Sequence, residues 1–203
     1  MQLNLTKGDK LNLTKADGRA LTHICVGLNW GMITKKSLFG ASTAKEPVDL
    51  DASVALFDAN NQFLEKIYFG NLSSSDNAIK HSGDDTIGDD ENDEFDNEVI
   101  TIDLTRIKPN VDKIVVILNS YKKQDFATIP YAHLRIYEGT PERVDSVFAK
   151  FNIAAEAKFS GFVSMILGKL YKHKGEWKLE TIGEPTKDQD LSATIATAQR
   201  LYI

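Results

Sequence analysis

The residues with the clearest potential for chemistry lie in one acidic segment between His81 and Glu98. This segment contains nine carboxylates and no Lys or Arg. The other 20 acidic residues are outnumbered by 24 Lys and Arg, so the segment turns a mildly basic chain into one with a net charge of −5. Crowded carboxylates repel one another and weaken a fold unless water and salt, a basic partner or an oxygen-binding cation neutralises them.

Calcium is one cation whose ligand preferences fit this segment. Ca²⁺ takes six to eight oxygens from carboxylates, amides and backbone carbonyls. The segment supplies all three, with Gly83 and Gly88 to let the backbone fold around an ion. The EF-hand pattern fits no register here. Composition alone therefore leaves two interpretations open, a metal site and the commoner outcome of a solvated or disordered acidic loop.

A second acidic pair, Asp49 and Asp51, lies at the start of a predicted strand. Side chains alternate between the two faces of a strand, so both carboxylates are expected on one face with Leu50 on the other. If the long acidic loop folds against this end of the strand, a site with several carboxylates follows.

The elements that must position these residues are predicted to be β-strands. Short apolar segments, many of them alternating with polar residues, are separated by Gly, Asn and Asp at roughly regular spacing. This pattern predicts an all-β protein, a β-sandwich of two mainly antiparallel sheets, rather than alternating β-α units. The predicted strands are 3–7 and 11–15 as a hairpin, 21–28, 52–58 and 63–69 as a second hairpin, 99–104, 113–118, 131–137, 143–151, 162–171 and 176–182.

The segment at 187–202 differs and predicts a C-terminal helix. Its apolar residues recur at helical spacing, and Thr186 with Gln189 three residues later suggests a capping box. We expect this helix to pack on the sandwich, with residues 1–203 forming a single domain. The loops at 37–48 and 71–98 are long, and loops of this size in compact domains are usually functional or disordered.

Composition and charge narrow the function classes. The hydrophobic content of 42% is enough for a real core. No stretch approaches ~18 uninterrupted apolar residues, so no membrane span is expected. The N-terminus lacks the apolar run of a signal peptide, and the single cysteine, Cys25, permits neither an intrachain disulfide nor a multi-thiolate zinc site. These features predict a cytoplasmic protein, and the negative charge disfavours nucleic acid as a partner.

The remaining reactive side chains give little sign of catalysis. The four histidines are scattered along the sequence, and a His-based site would need several to converge in space. We expect His81 to be exposed and Cys25 to be an ordinary core thiol. The nucleophile-elbow, P-loop and dinucleotide-binding glycine patterns are missing. The chain is therefore not expected to be an enzyme.

Three motifs, in order, resemble the TerD family of tellurium-resistance and stress proteins. They are Val-Asp-Leu-Asp-Ala-Ser at 48–53, His-Ser-Gly-Asp-Asp at 81–85 with the acidic loop that follows, and Gly-Lys-Leu-Tyr-Lys-His-Lys-Gly-Glu-Trp-Lys at 168–178. The resemblance spans nearly the whole chain. It implies a β-sandwich that binds one or two Ca²⁺ ions through loops at one end, and partners among the other proteins of a stress-response complex.

The resemblance also implies the ligands, which include the pair at the strand start and much of the acidic loop. Carried over by position, the candidate metal ligands are Asp49, Asp51, Asp84, Asp85, Gly88, Asp90, Asp93, Asp96 and Glu98, with Asp89 in the same run. This chain departs from the family pattern in the far half of the loop, which is longer and keeps only Gly88 of the alternating glycines. Gly31 also stands where the family commonly has Asp.

The function expected from the resemblance is a calcium-binding stress-response module that acts by binding or assembly. Calcium would neutralise the carboxylates and draw the acidic loop toward Asp49 and Asp51, which stabilises the fold by linkage. Two alternatives that use the same loop stay open, a metal-dependent hydrolase and a calcium-dependent carbohydrate binder.

Overall fold

A computed structural model of the chain describes residues 8–15, 17–36, 43–93, 95–153 and 157–203. This part of the chain forms two antiparallel sheets of six and five strands, a short two-stranded sheet and a C-terminal helix. The predicted all-β sandwich with its helix is confirmed. The predicted strand at 3–7 lies outside the described residues, as do positions 37–42 of the first long loop.

The strands are joined by connections that range from tight turns to the long acidic loop between β7 and β8. Two single-turn 3₁₀ helices, Phe126–Thr128 and Ala157–Phe159, lie in the connections. The elements are β1 (Lys10–Asn12), β2 (His23–Trp30), β3 (Ile33–Lys36), β4 (Thr43–Glu46), β5 (Leu50–Phe57), β6 (Phe63–Ile67), β7 (Ile79–His81), β8 (Glu98–Asp103), β9 (Lys113–Ser120), β10 (Ala132–Thr140), β11 (Arg143–Asn152), β12 (Ser164–His173), β13 (Glu176–Thr186) and α1 (Leu191–Leu201).

The two sheets enclose the main core. The first has the strand order β1-β13-β12-β9-β5-β6, and the second has the order β11-β10-β2-β8-β7. Alternate residues of β2, such as Ile24 and Val26, face alternate residues of β5, such as Val54, within one buried cluster. The opposite face of β2 carries Cys25, whose buried thiol packs in a small separate cluster with Tyr137. Side-chain alternation along β2 thus separates a face in the main core from an outer face.

The helix covers part of the outer face of the first sheet. Ile195 and Ala198 pack on Ala55 and Val115, which point away from the main core. The predicted capping box is wrong, because Thr186 is the last residue of β13. Asp190 caps the helix instead, with its carboxylate accepting a hydrogen bond from the Ala193 N–H at 2.9 Å.

Three short strands were not predicted from the sequence. β7 pairs with β8 through Ile79↔Ile102, and β3 pairs with β4 as a separate two-stranded sheet. Lys10, which the sequence predicts to lie in a turn, belongs to β1 and pairs with Glu180. None of the helices that the structure describes is long and apolar enough to cross a membrane.

Candidate metal centre

The predicted carboxylate pair lies at the edge of the first sheet, where β5 begins. Leu50 is fully buried in the main core, and Asp49 and Asp51 lie on the opposite side of the strand, as the alternation predicts. Asp51 is held in place by pairing with Asn119 of β9. The pair is therefore positioned where β5 enters the six-stranded sheet beside β9.

Asp84, in the loop that follows β7, joins this pair. One carboxylate oxygen from each of Asp49, Asp51 and Asp84 lies within 4.8 Å of the other two. Oxygens bound to one Ca²⁺ at about 2.4 Å can be at most about 4.8 Å apart, so this spacing fits a shared cation. Asp49 and Asp51 are buried, whereas Asp84 is exposed. The cluster is thus open to solvent on the side of the loop.

Asp51 is in an environment that opposes its negative charge. Burial raises the pKa of its carboxyl to about 8, and the charges of Glu98, Asp49 and Asp84 add to the effect. Its Oδ1 is buried and has no hydrogen-bond partner among the described residues. A buried ionised carboxylate without a partner is strongly destabilising, so this group requires either a proton or a cation.

Asp49 has one local counter-charge. Burial raises the pKa of its carboxyl, and the ammonium of Lys122, 3.4 Å from its Oδ2, acts in the opposite direction. The side chain of Lys122 is 44% exposed, so water screens this ion pair. The ammonium of Lys123 acts on Asp51 in the same direction, but the summed effect of burial and like charges still raises the pKa of both buried carboxyls.

The acidic loop is held against Asp49 by backbone hydrogen bonds. The Val48 N–H donates to the Ile87 carbonyl, and the Asp89 N–H donates to the Trp30 carbonyl, both at 2.9 Å. Gly88 lies between these contacts with a φ of +78°, and a Cβ there would come within 2.6 Å of the Trp30 ring. Glycine is required at this position for both its backbone angle and its close approach.

Asp85 organises the same loop through its side chain. Its Oδ1 accepts hydrogen bonds from the Ile87 and Gly88 N–H groups at 2.8 and 3.0 Å. Its Oδ2 accepts a bond from the Asn97 amide at 3.1 Å. These bonds fold the loop into a tight turn. Asp85 therefore determines the shape of the loop next to Asp84. Its role as a metal ligand stays a prediction.

Glu98 lies beneath the cluster in a fully buried pair with His81. The Nε2 of His81 is 3.5 Å from Glu98 Oε2, and neither side chain is exposed. The expectation of an exposed His81 is wrong. The Gly83 N–H donates to His81 Nδ1 at 3.1 Å, which places the proton of the ring on Nε2, facing Glu98 and the Ala52 carbonyl.

The Glu98 carboxyl joins three parts of the structure. Its Oε2 accepts a hydrogen bond from the Ala52 N–H in β5 at 2.9 Å, and its Oε1 accepts one from the Asp85 N–H at 3.4 Å. Burial raises the pKa of Glu98, and the bond to His81 lowers it. Glu98 therefore ties β8 to β5 and to the loop that carries Asp84.

The structure does not bring the remaining predicted ligands to the cluster. Asp90 forms an ion pair with Lys45 at 2.9 Å, and Asp96 forms one with Arg135 at 3.0 Å. Asp93 is exposed and accepts a hydrogen bond from the Phe95 N–H at 2.9 Å. Ligation by these three carboxylates stays a prediction from the sequence.

Asp89 is at the centre of a polar group that sequence reasoning missed. Its carboxylate accepts hydrogen bonds from the amides of Asn29 at 2.8 Å and Asn97 at 2.7 Å. Asn29 is a buried polar residue within an otherwise apolar strand, and that was the available signal. The two amides supply hydrogen-bond donors to the Asp89 carboxylate, and the bond from Asn29 connects the far half of the acidic loop to β2.

A family model described as the TerD domain matches residues 1–197 of this chain. The chain belongs to the TerD family. Its relatives include stress response protein SCP2 of Bacillus subtilis (strain 168), which is 34% identical across 97% of this chain and 98% of the relative. Tellurium resistance protein TerD of Serratia marcescens is 29% identical across 91% of each chain. The resemblance to tellurium-resistance and stress proteins is confirmed.

Solved structures share the fold of this TerD-family chain. A homologue of telluride resistance protein (TerD) from Streptomyces coelicolor A3(2) superposes with a TM-score of 0.68 at 15% identity, covering 87% of this chain and 96% of that one. A protein described as SAV2460, of unknown function, gives a TM-score of 0.66 at 20% identity. At these identities the likeness establishes the TerD-type sandwich alone.

Proposed function

We propose that this TerD-family chain is a calcium-binding stress-response protein in which one ion is shared by Asp49, Asp51 and Asp84. The observation that carries the proposal is the position of the three carboxylates, whose oxygens lie within 4.8 Å of one another at the end of β5. Hard oxygen donors suit Ca²⁺, which accepts irregular coordination, better than Mg²⁺, which demands near-ideal octahedral geometry.

The donor set fits a cation in its charge as well as its spacing. Asp51 is buried with an unpartnered oxygen, and nearby carboxylates raise its pKa further. A bound divalent cation supplies the positive charge that this cluster lacks and favours the ionised form of each carboxyl. Asp49 and Asp51 would hold the ion from the sheet, and Asp84 would hold it from the loop.

The same geometry connects ion binding to the shape of the loop. Asp84 follows directly on Gly83, whose N–H is bonded to His81, and Glu98 binds the N–H of the next residue, Asp85. An ion at the cluster would therefore fix the start of the acidic loop from two sides. We propose that the ordered loop surface serves assembly with other proteins of a stress response in the cytoplasm, without a catalytic step.

Calorimetric titration of the metal-free chain tests the proposal. We expect about one Ca²⁺ per chain at this cluster, because three carboxylates with backbone and water oxygens complete one coordination shell. Mg²⁺ should bind more weakly. Asp84→Asn should reduce the calcium affinity at least about tenfold, a loss of about 1.4 kcal/mol.

The matched control for Asp84→Asn is Asp90→Asn. Both changes remove one exposed carboxylate from the acidic loop, but Asp90 is paired with Lys45 outside the cluster. We expect Asp90→Asn to bind calcium almost as well as the unaltered chain. Equal losses in the two variants would show that the loop attracts cations only by its net charge, and the proposed site would be wrong.

The stability of the metal-free chain is expected to depend on pH through Asp51. Burial and nearby carboxylates raise the pKa of this carboxyl from its ordinary value of 3.8 to about 8 in the folded chain. Between these values the folded state binds more protons than the unfolded state, so the free energy of unfolding falls as pH rises. Calcium replaces the proton, and its stabilising effect should therefore be larger at pH 8 than at pH 6.

Scanning calorimetry at several pH values, with calcium or with chelator, measures this dependence. Asp51→Asn should flatten the part of the slope between about pH 5 and 8 in chelator, since the amide does not titrate. If calcium stabilises the chain equally at pH 6 and pH 8, Asp51 is not the group that exchanges a proton for the ion.

A further inference from the structure

A pocket of about 570 Å³ lies on the outer face of the first sheet, beside the cation cluster. Its volume is within the range of about 300–1,000 Å³ that is typical of small-molecule sites. Its walls come from β5, from β6 and β9 with the segments that follow them, and from the start of α1. The helix covers the apolar part of this sheet face through Ala55 and Val115, and the polar part beside it lines the pocket.

Buried polar atoms without partners are concentrated in the lining of this pocket. Four lining side chains each have a buried oxygen with no hydrogen-bond partner among the described residues. All four residues are at most 5% exposed. Leaving one such atom unpaired costs about 1–3 kcal/mol, so their concentration in one pocket indicates a partner from outside the chain. The four atoms are Asp51 Oδ1, Ser53 Oγ, Asn119 Oδ1 and Ser120 Oγ.

The hydrogen bonds around Asn119 define what the pocket offers. Its amide nitrogen donates to Ser164 Oγ at 2.7 Å and to Thr194 Oγ1 at 3.2 Å, so its Oδ1 is left as an acceptor. The Asp51 carboxyl contributes further acceptor oxygens, and the hydroxyls of Ser53 and Ser120 can both donate and accept. A ligand that satisfies the Asn119 and Asp51 oxygens must bring hydrogen-bond donors of its own.

Aromatic side chains form one side of the pocket. Phe69 packs edge-on against Tyr121, with ring centroids 5.6 Å apart, and against Tyr68 at 5.1 Å. Tyr121 is 61% exposed, although it is a large aromatic residue. Its free face can pack against the C–H groups of a ring, while the phenol oxygen stays in water.

We propose that this pocket binds a small sugar or a cyclic polyol. Ring hydroxyls would donate to Asn119 and Asp51 and exchange hydrogen bonds with Ser53 and Ser120, while the C–H face of the ring packs on Tyr121. Lys66 and Lys123 line the pocket together with Asp51 and Asp190, so its formal charges balance and a neutral polar ligand fits it. The inference goes beyond calcium binding, since three of the four unpartnered oxygens lie outside the cation cluster.

Saturation-transfer NMR on the full chain tests whether the pocket binds such compounds. The compounds are D-glucose, D-galactose, D-mannose, D-ribose, maltose and myo-inositol, each at up to 10 mM. Each compound that gives a signal is then titrated. We expect saturable binding of at least one compound. The double change Ser53→Ala and Ser120→Ala should weaken that binding at least tenfold. The melting temperature should stay the same or rise, because the two hydroxyls have no hydrogen-bond partner among the residues that the structure describes.

A pair of aromatic variants tests the other side of the pocket. Tyr121→Ala should also weaken binding, whereas Phe95→Ala, which removes a 68% exposed aromatic side chain outside the pocket, should leave it unchanged. No saturable binding by any compound overturns the inference. So does binding that survives both the serine and the Tyr121 changes, because the ligand then sits elsewhere.

Running each titration with calcium and with chelator separates this inference from the calcium proposal. Sugar binding in chelator supports the pocket even if calcium fails to bind. Calcium binding without any sugar binding overturns the pocket alone. Sugar binding that appears only with calcium and is lost in the serine variant supports the pocket and makes Asp51 its link to the ion.

Discussion

Calcium at about 100 times its dissociation constant is expected to raise the melting temperature of this chain by roughly 5–10 °C. Binding to the folded state alone contributes about 2.7 kcal/mol at this ratio, and 1 kcal/mol corresponds to about 2–4 °C for a domain of this size. Mg²⁺ at the same concentration should give a smaller rise. Thermal unfolding followed by circular dichroism provides the measurement.

The combined change Asp49→Asn and Asp51→Asn should remove most of this rise. Amides keep the shape of the side chains but lose the charge that binds the ion. The same variant should melt higher than the unaltered chain in chelator, because it no longer buries carboxylates that burial and like charges destabilise. Two opposite shifts in one variant are difficult to explain by a general loss of folding.

Asp90→Asn again serves as the control, since it alters the acidic loop away from the cluster. Its calcium-dependent rise should match that of the unaltered chain. If the double variant keeps the full rise, the ion binds elsewhere. The next candidate site is then the Asp89 carboxylate, which accepts hydrogen bonds from the side-chain amides of Asn29 and Asn97.

The second large effect is expected from His81→Ala. This change removes the donor that faces Glu98 and the acceptor of the Gly83 N–H, and it leaves a cavity under the loop. Leaving a buried acceptor without its donor typically costs about 1–3 kcal/mol, and more when the acceptor is charged. We expect a loss of that order in the free energy of unfolding, measured by urea denaturation in chelator, together with weaker calcium binding.

His23→Ala is the matched control for His81→Ala. His23 also pairs with a carboxylate, Asp103, at 3.1 Å, but its side chain is 61% exposed. Solvent screens such a pair, and its contribution is expected to stay below about 1 kcal/mol. Similar losses in the two variants would contradict the view that Glu98 and His81 form the buried support of the metal centre.

Local patterns in the sequence determine much of this fold. The positions of Asp49 and Asp51 follow from the alternation of a strand, because Leu50 between them can be buried only if they face the other way. The faces of β2 are predictable for the same reason. The start of α1 is not predictable in this way, because Thr186 and Asp190 are both plausible caps by residue type. The pairing of Thr186 with Ser164 in the sheet decides between them.

The burial of His81 could not be predicted, since it depends on contacts distant in sequence. β7 is only three residues long, and its partner β8 begins after the whole acidic loop. A segment in which a histidine precedes nine carboxylates has the composition of a surface loop. Only the pairing of β7 with β8, and the approach of both to Ala52 in β5, places the ring in the interior.

The contacts of the far half of the acidic loop could not be predicted for the same reason. Asp90 and Asp96 differ little from Asp84 in sequence context, but their partners Lys45 and Arg135 come from strands about 40 residues away. The pocket could not be predicted from the sequence either. Ser53 and Asn119 are ordinary strand residues until β5 and β9 pair with Asp51 opposite Asn119.

A crystal structure grown in calcium, with anomalous diffraction recorded, tests the central claim most directly. We predict one calcium peak whose distances to oxygens of Asp49, Asp51 and Asp84 are about 2.3–2.6 Å. Calcium bound only elsewhere on the chain, or no peak at this cluster in crystals soaked at millimolar calcium, would contradict the account.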